Sequence, residues 1–215
     1  PDPTCLPFEV VPCDVFITEC TFGLPIYRWP PASDVGRDIV AWREECAANG
    51  EAAILYGYAL GKAQRVLAEL LAHTDRPAYV HGAIDAGVQV YREAGVPMLD
   101  TLRVADEARG ADFAGELVIA PPSAAGSPWI RRFRRAQQGF ASGWMRIRGN
   151  RRRRNYDRGF VVSDHADWPS LLGTVKETGA RRVIATHGDT AALVRTLNES
   201  GIETGVFASS YGEYD

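Results

Sequence analysis

The chain has 215 residues, of which 46% are hydrophobic and 24% charged, with a formal net charge of −3. That is the balance of an ordinary globular protein of one large or two small domains. No apolar run approaches the roughly 18 residues of a membrane span, and the start, Pro1-Asp2-Pro3-Thr4-Cys5, lacks both an initial Met and a signal-peptide pattern.

The elements alternate along the chain. Cys13 to Glu19 reads as a buried strand that ends in an acid. Ser33 is the expected N-cap of a helix running to Ala48, with Gly50 as its stop. Ala52 to Tyr58 is a strand, and Gly61 to His73 an amphipathic helix with Val66, Leu67, Leu70 and Leu71 inward. Strands follow at Pro77 to His81 and Glu116 to Ala120, with a helix from Asp85 to Ala94 between them. Phe140 to Trp144 reads as another strand, leading into an arginine-rich turn. Beyond it come a strand at Phe160 to Ser163, a helix at Pro169 to Thr178, a strand at Arg182 to Thr186, a helix at Thr190 to Asn198 and a last strand at Gly205 to Ala208. Such alternation predicts an α/β fold with a largely parallel sheet flanked by helices. The stretch from Gly149 to Arg158 is the expected boundary.

Charge is unevenly placed. Arg131 to Arg158 holds eleven arginines and one acid, Asp157, which leaves 13 basic and 26 acidic residues elsewhere. A block so basic in an acidic chain points to a polyanion partner. Phe133, Phe140, Trp144 and Tyr156 are interleaved with it, as in a groove that tracks a nucleic-acid strand. Cys5, Cys13, Cys20 and Cys46 form no C-x-x-C pair, which suits reduced, mostly buried thiols of a cytoplasmic protein.

Three strands end in ionisable groups: Thr18-Glu19, Ser163-Asp164-His165 and Thr186-His187-Gly188-Asp189. Two of the four histidines thus stand just past apolar strands beside an aspartate, where imidazole can bind metal or transfer a proton. No G-x-S-x-G nucleophile turn occurs. Gly57 to Ala63 misses the spacing and the hydroxyl residue of a phosphate loop.

These sites carry a family resemblance. Glu19-Cys20-Thr21-Phe22-Gly23, Tyr58 to Gln64, Ala141-Ser142-Gly143, Ser163-Asp164-His165-Ala166-Asp167 and Thr186-His187-Gly188 resemble, in order, five motifs of the β-CASP nucleases of metallo-β-lactamase fold. Glu19 to Trp29 is most similar to the bacterial DNA-ligase-associated exonucleases. The resemblance implies a partial αββα metallo-β-lactamase fold at residues 1–30 and 156–215, interrupted by a β-CASP domain at 31–155. It implies zinc-dependent phosphodiester hydrolysis in a two-zinc centre, with manganese as a substitute. His187 binds one ion, and His165 protonates the leaving oxygen while Glu19 orients it. The resemblance implies that Lys62, Ser142 and Gly143 line the path of the nucleic acid, and the basic block adds Arg151 and Arg152 as expected contacts. The substrate implied is single-stranded or end-containing DNA, in association with an ATP-dependent DNA ligase. RNA is the alternative, because histidine at position 187 is usual among RNA-processing members, and a non-catalytic nucleic-acid-binding module is a further one. The main zinc motif of the family is absent, and His73 and His81 do not replace it. The chain is therefore expected to be a C-terminal fragment that is inactive alone.

Overall fold

The computed structural model describes residues 2–147, 149 and 155–207. Its strands are β1 (Val15–Cys20), β2 (Ala52–Tyr56), β3 (Ala78–Val80), β4 (Thr101–Arg103), β5 (Leu117–Ala120), β6 (Ala136–Ala141), β7 (Arg158–Phe160), β8 (Arg182–Gly188) and β9 (Glu203–Val206). Its helices are α1 (Ala32–Ala48), α2 (Lys62–Leu70), α3 (Gly82–Glu93), α4 (Trp168–Thr178) and α5 (Thr190–Glu199). The fold is α/β, with parallel sheets flanked by helices, as expected. Two units divide the chain, one of residues 1–7 and 30–164, the other of residues 8–29 and 165–215.

The larger unit holds a six-stranded sheet in the order β4-β3-β5-β2-β6-β7, parallel throughout. Its central strands β2 and β5 are buried at every residue, the mark of a parallel sheet covered on both faces. β7 pairs with β6 from Gly139↔Arg158 to Ala141↔Phe160, so residues 158–164 belong to this unit. Arg43 of α1 is only 1% exposed. Its guanidinium donates to the carbonyls of Gly115 (3.2 Å), Arg76 (3.1 Å) and Pro77 (3.1 Å) and to Glu116 Oε2 (2.6 Å). One planar, always-charged group thereby ties a helix to the segments that enter β3 and β5.

Several boundaries differ from the sequence reading. Pro31, not Ser33, precedes the first turn of α1; its carbonyl accepts from Asp34 N at 3.0 Å, and no side chain caps the helix. α2 stops at Leu70, which leaves Leu71 45% exposed rather than inward. The strand expected at Phe140 to Trp144 lies earlier, at β6. It is ended by a 3-10 turn, Gly143–Arg146, whose Trp144 N is accepted by the Ser142 hydroxyl at 3.4 Å. Phe133 and Phe140 are buried, and Phe140 stacks on Tyr156 at 5.0 Å. Of the four aromatics read as a strand-tracking groove, only Trp144 is exposed; the others serve the core.

The smaller unit is a three-stranded parallel sheet, order β1-β8-β9. Leu171 and Val175 of α4 and Leu193 and Leu197 of α5 pack with Cys20, Val183 and Ala185 of the strands. The β1–β8 register shifts at the strand ends: Glu19 faces Thr186, but Cys20 faces Gly188. His187 is the extra residue of this bulge and adopts φ 50°, followed by Gly188 at φ 95°. A Cβ on Gly188 would lie 2.5 Å from the Cys20 carbonyl oxygen, so backbone strain and close approach both require glycine there.

Two stability outcomes follow. Arg43→Ala removes the donor shared by three carbonyls and Glu116, of which the Gly115 carbonyl and Glu116 keep Arg76, and should lower stability by about 3 kcal/mol; Arg43→Lys should not restore it, since one ammonium cannot span the set. Gly188→Ala should cost on the order of 2 kcal/mol by forcing the bulge open. Urea midpoints of the purified variants measure both.

Candidate functional site

The bulge sets the geometry of a polar rim in the smaller unit, where β1 and β8 end. Glu19 is the last regularly paired residue of β1, His187 is the extruded residue of β8, and His165 lies in the segment that leads into α4. Glu19 Oε2 lies 3.5 Å from His165 Nδ1, and Glu19 Oε1 lies 3.8 Å from His187 Nε2. One carboxylate therefore stands between two imidazoles, and the Thr21 hydroxyl donates a hydrogen bond to Glu19 Oε1. All three side chains are substantially exposed, His187 most of all. Ion pairs so open to water add little stability. Their value lies in fixing which ring nitrogens face the carboxylate.

A small scaffold carries His165. Its backbone carbonyl accepts from Trp29 Nε1 at 2.9 Å, and its ring meets Phe22 edge-to-face at 5.9 Å. Phe22 packs against Tyr27 and Trp29 with centroids 4.8 and 4.9 Å away. Asp167 closes the arrangement: Oδ2 accepts from Trp29 N at 2.9 Å, while Oδ1 accepts from Ser170 N at 3.0 Å and so caps α4. Thr21, Trp29 and Asp167 have these parts although the sequence reading gave them none. All three lie inside the quoted motifs, but nothing in one sequence separates a scaffold residue from a reacting one.

Cys20, beside Glu19, is held as a neutral thiol. Burial pushes its pKa up to about 11, helped by the negative charges of Asp189 and Glu19. Its Sγ donates to the His187 carbonyl at 3.3 Å, which braces the bulge from below. A thiol so suppressed is neither nucleophile nor metal ligand. Cys46 is likewise buried, with its pKa pushed up to about 11, whereas Cys5 is exposed and Cys13 half-buried.

The donor set does not by itself make a zinc site. Among the described residues no group of three or more His, Cys, Asp or Glu side chains is placed to hold a metal ion. Catalytic zinc takes about three protein ligands. Elsewhere, His81 Nδ1 accepts from Ala83 N at 3.0 Å and caps α3, and His73 packs against Gly36.

Lys62, expected along the nucleic-acid path, is 4% exposed and its Nζ donates to Asp164 Oδ2 at 2.6 Å. Its charge is thus neutralised within the larger unit. Ser142 is spent on its turn, Gly143 is buried behind it, and Arg151 and Arg152 lie outside the described residues.

No protein-family model matches the chain. It is 33% identical over 190 residues to a protein named Probable DNA ligase from Opitutus terrae, a match that takes in 88% of this chain and 18% of that protein. Its fold is similar to the crystal structure of a protein of unknown function from Enterococcus faecalis V583, with a TM-score of 0.52 and 10% identity over 95% of this chain and 52% of the other. That likeness concerns the α/β fold. The sequence match relates the chain to less than a fifth of a protein whose name refers to DNA joining.

Proposed function

We propose that the chain supplies the proton-transferring rim of a metal-dependent nuclease of metallo-β-lactamase fold with an inserted β-CASP domain, acting on DNA ends beside a DNA ligase in the cytoplasm. The observation that carries this reading is the single carboxylate, Glu19, between His165 and His187 at the end of one parallel sheet. The five motif resemblances and the name of the relative from Opitutus terrae point the same way. So does the sheet of the smaller unit: Val15 and Ile17, on the face of β1 opposite the α4 and α5 side, are 47% and 54% exposed. Parallel sheets are ordinarily covered on both faces, and a second sheet would complete an αββα sandwich.

The chemistry of the rim is proton transfer. With Nδ1 facing Glu19, the other nitrogen of His165 is the one that delivers a proton to a leaving oxygen. Glu19 fixes the ring and stabilises the imidazolium, as a carboxylate partner does for a general acid. His187 would give one imidazole to the metal centre, and the other ligands would come from outside the described residues. No described helix is long and apolar enough to cross a membrane.

The test is degradation of labelled single-stranded DNA by the intact gene product with added zinc or manganese, with RNA of the same sequence beside it. His165→Ala should lower the rate by roughly 100- to 10,000-fold at unchanged DNA affinity; Glu19→Gln should lower it less, because the ring remains. Equal rates for His165→Ala and the parent would overturn the general-acid assignment. Preference for RNA would move the protein to the ribonuclease branch, and binding without cleavage would leave a non-catalytic module. Affinity should also fall with salt, by roughly 0.7 in the logarithm per tenfold salt for each phosphate contacted on a single strand; a flat response would separate the arginine block from the phosphates.

A further inference from the structure

The larger unit interrupts the smaller one in sequence: the chain leaves the smaller unit after Trp29 and re-enters it at His165. The residue read as the general acid is therefore the first one back from an excursion through residues 30–164. Its position depends on what ties its backbone to the smaller unit, because a long connection does little to fix its own ends.

Glu19 is too weak a tie. Its contact with His165 Nδ1 is 3.5 Å long and both side chains are nearly half exposed. Water competes for such a pair, which can orient the ring but cannot locate the backbone. The backbone is held elsewhere. Trp29 Nε1 donates to the His165 carbonyl at 2.9 Å, Trp29 N donates to Asp167 Oδ2 at 2.9 Å, and Trp168 N donates to the Tyr27 carbonyl at 3.0 Å. Asp167, only 8% exposed, spends its other oxygen on Ser170 N at 3.0 Å and on the Ser170 hydroxyl at 2.6 Å, which joins the tie to the start of α4. The outgoing and returning segments are thereby sewn together. Of these bonds, the one that reaches His165 itself comes from the indole.

We infer that Trp29 is a positioning residue: its indole N–H closes the two ends of the insertion and sets where His165 stands beside Glu19. The inference rests on the general-acid reading of His165 and adds the group that places it. A displacement of about 1 Å at a reacting group can cost on the order of 100-fold in rate. Steady-state cleavage of labelled single-stranded DNA by the intact gene product with zinc is measured for Trp29→Phe, which keeps a ring against Phe22 and removes the N–H. With His165 present, kcat should fall roughly 10- to 100-fold while KM holds. In the His165→Ala background the same substitution should change kcat by less than about twofold, since no proton donor is left to place. Asp167→Asn, which leaves the indole intact and removes one acceptor, should repeat both results. A merely structural role would lower kcat alike in the two backgrounds. Equal losses in both backgrounds, or a parental kcat for Trp29→Phe, overturn the positioning role and leave the general-acid reading standing. A His165→Ala variant that cleaves as fast as the parent, or a parent that cleaves nothing, overturns both.

Discussion

Everything at the histidine rim depends on one backbone irregularity, the bulge where β8 carries one residue more than β1. Had the ladder stayed in register, His187 would have paired with Cys20 and its side chain would have alternated with Thr186 across the sheet. The extra residue, at φ 50°, brings His187 to the carboxylate that His165 reaches from another segment. Three features hold the distortion: a glycine at 188 with no room for a Cβ, the Cys20 thiol donating to the His187 carbonyl, and the helix that begins directly after Asp189. A non-glycine residue in the left-handed region costs about 1 kcal/mol or more, and such strain gathers where function fixes a side chain.

Much of this was legible in the sequence, for identifiable reasons. Short apolar runs that end in Glu19 and Thr186 announced parallel strands with polar ends, although β1 is not the buried strand expected, since Val15 and Ile17 face water, and the strand expected to reach Ser163 ends at Phe160. The convergence of Glu19, His165 and His187 followed from that placement. What failed was local. Pro31 took the start of α1 from Ser33 because two prolines already fix the entering backbone. The Ser142 hydroxyl closed a turn where a continuous strand was expected. Phe140 and Tyr156 stack in the core, because the arginine content of a segment says nothing of which way its rings face.

The polar groups of the two units are used in opposite ways. Arg43, Lys62 and Arg65 of the larger unit are withdrawn from water and saturated with partners: carbonyls for Arg43, Asp164 for Lys62, Glu69 and the Ser163 carbonyl for Arg65. Groups so committed define a single packing arrangement, and removing one partner leaves the other unsatisfied. Glu19, His165 and His187 of the smaller unit are open and held at separations near the limit of an ion pair. They add little to stability and are not committed to the packing.

The charge of that rim constrains its chemistry further. Burial, and after it the negative charges of Asp189 and Glu19, pushes the Cys20 pKa up to about 11. Among the described residues the side chains paired with Glu19 are the two histidines and Thr21, and neither lysine nor arginine joins them. A phosphodiester brought to such a surface meets two carboxylates and would be repelled unless positive charge stands between them. The two histidines meet different oxygens of Glu19, His165 through Nδ1 at Oε2 and His187 through Nε2 at Oε1. One carboxylate thereby orients both rings at once, each through a different ring nitrogen.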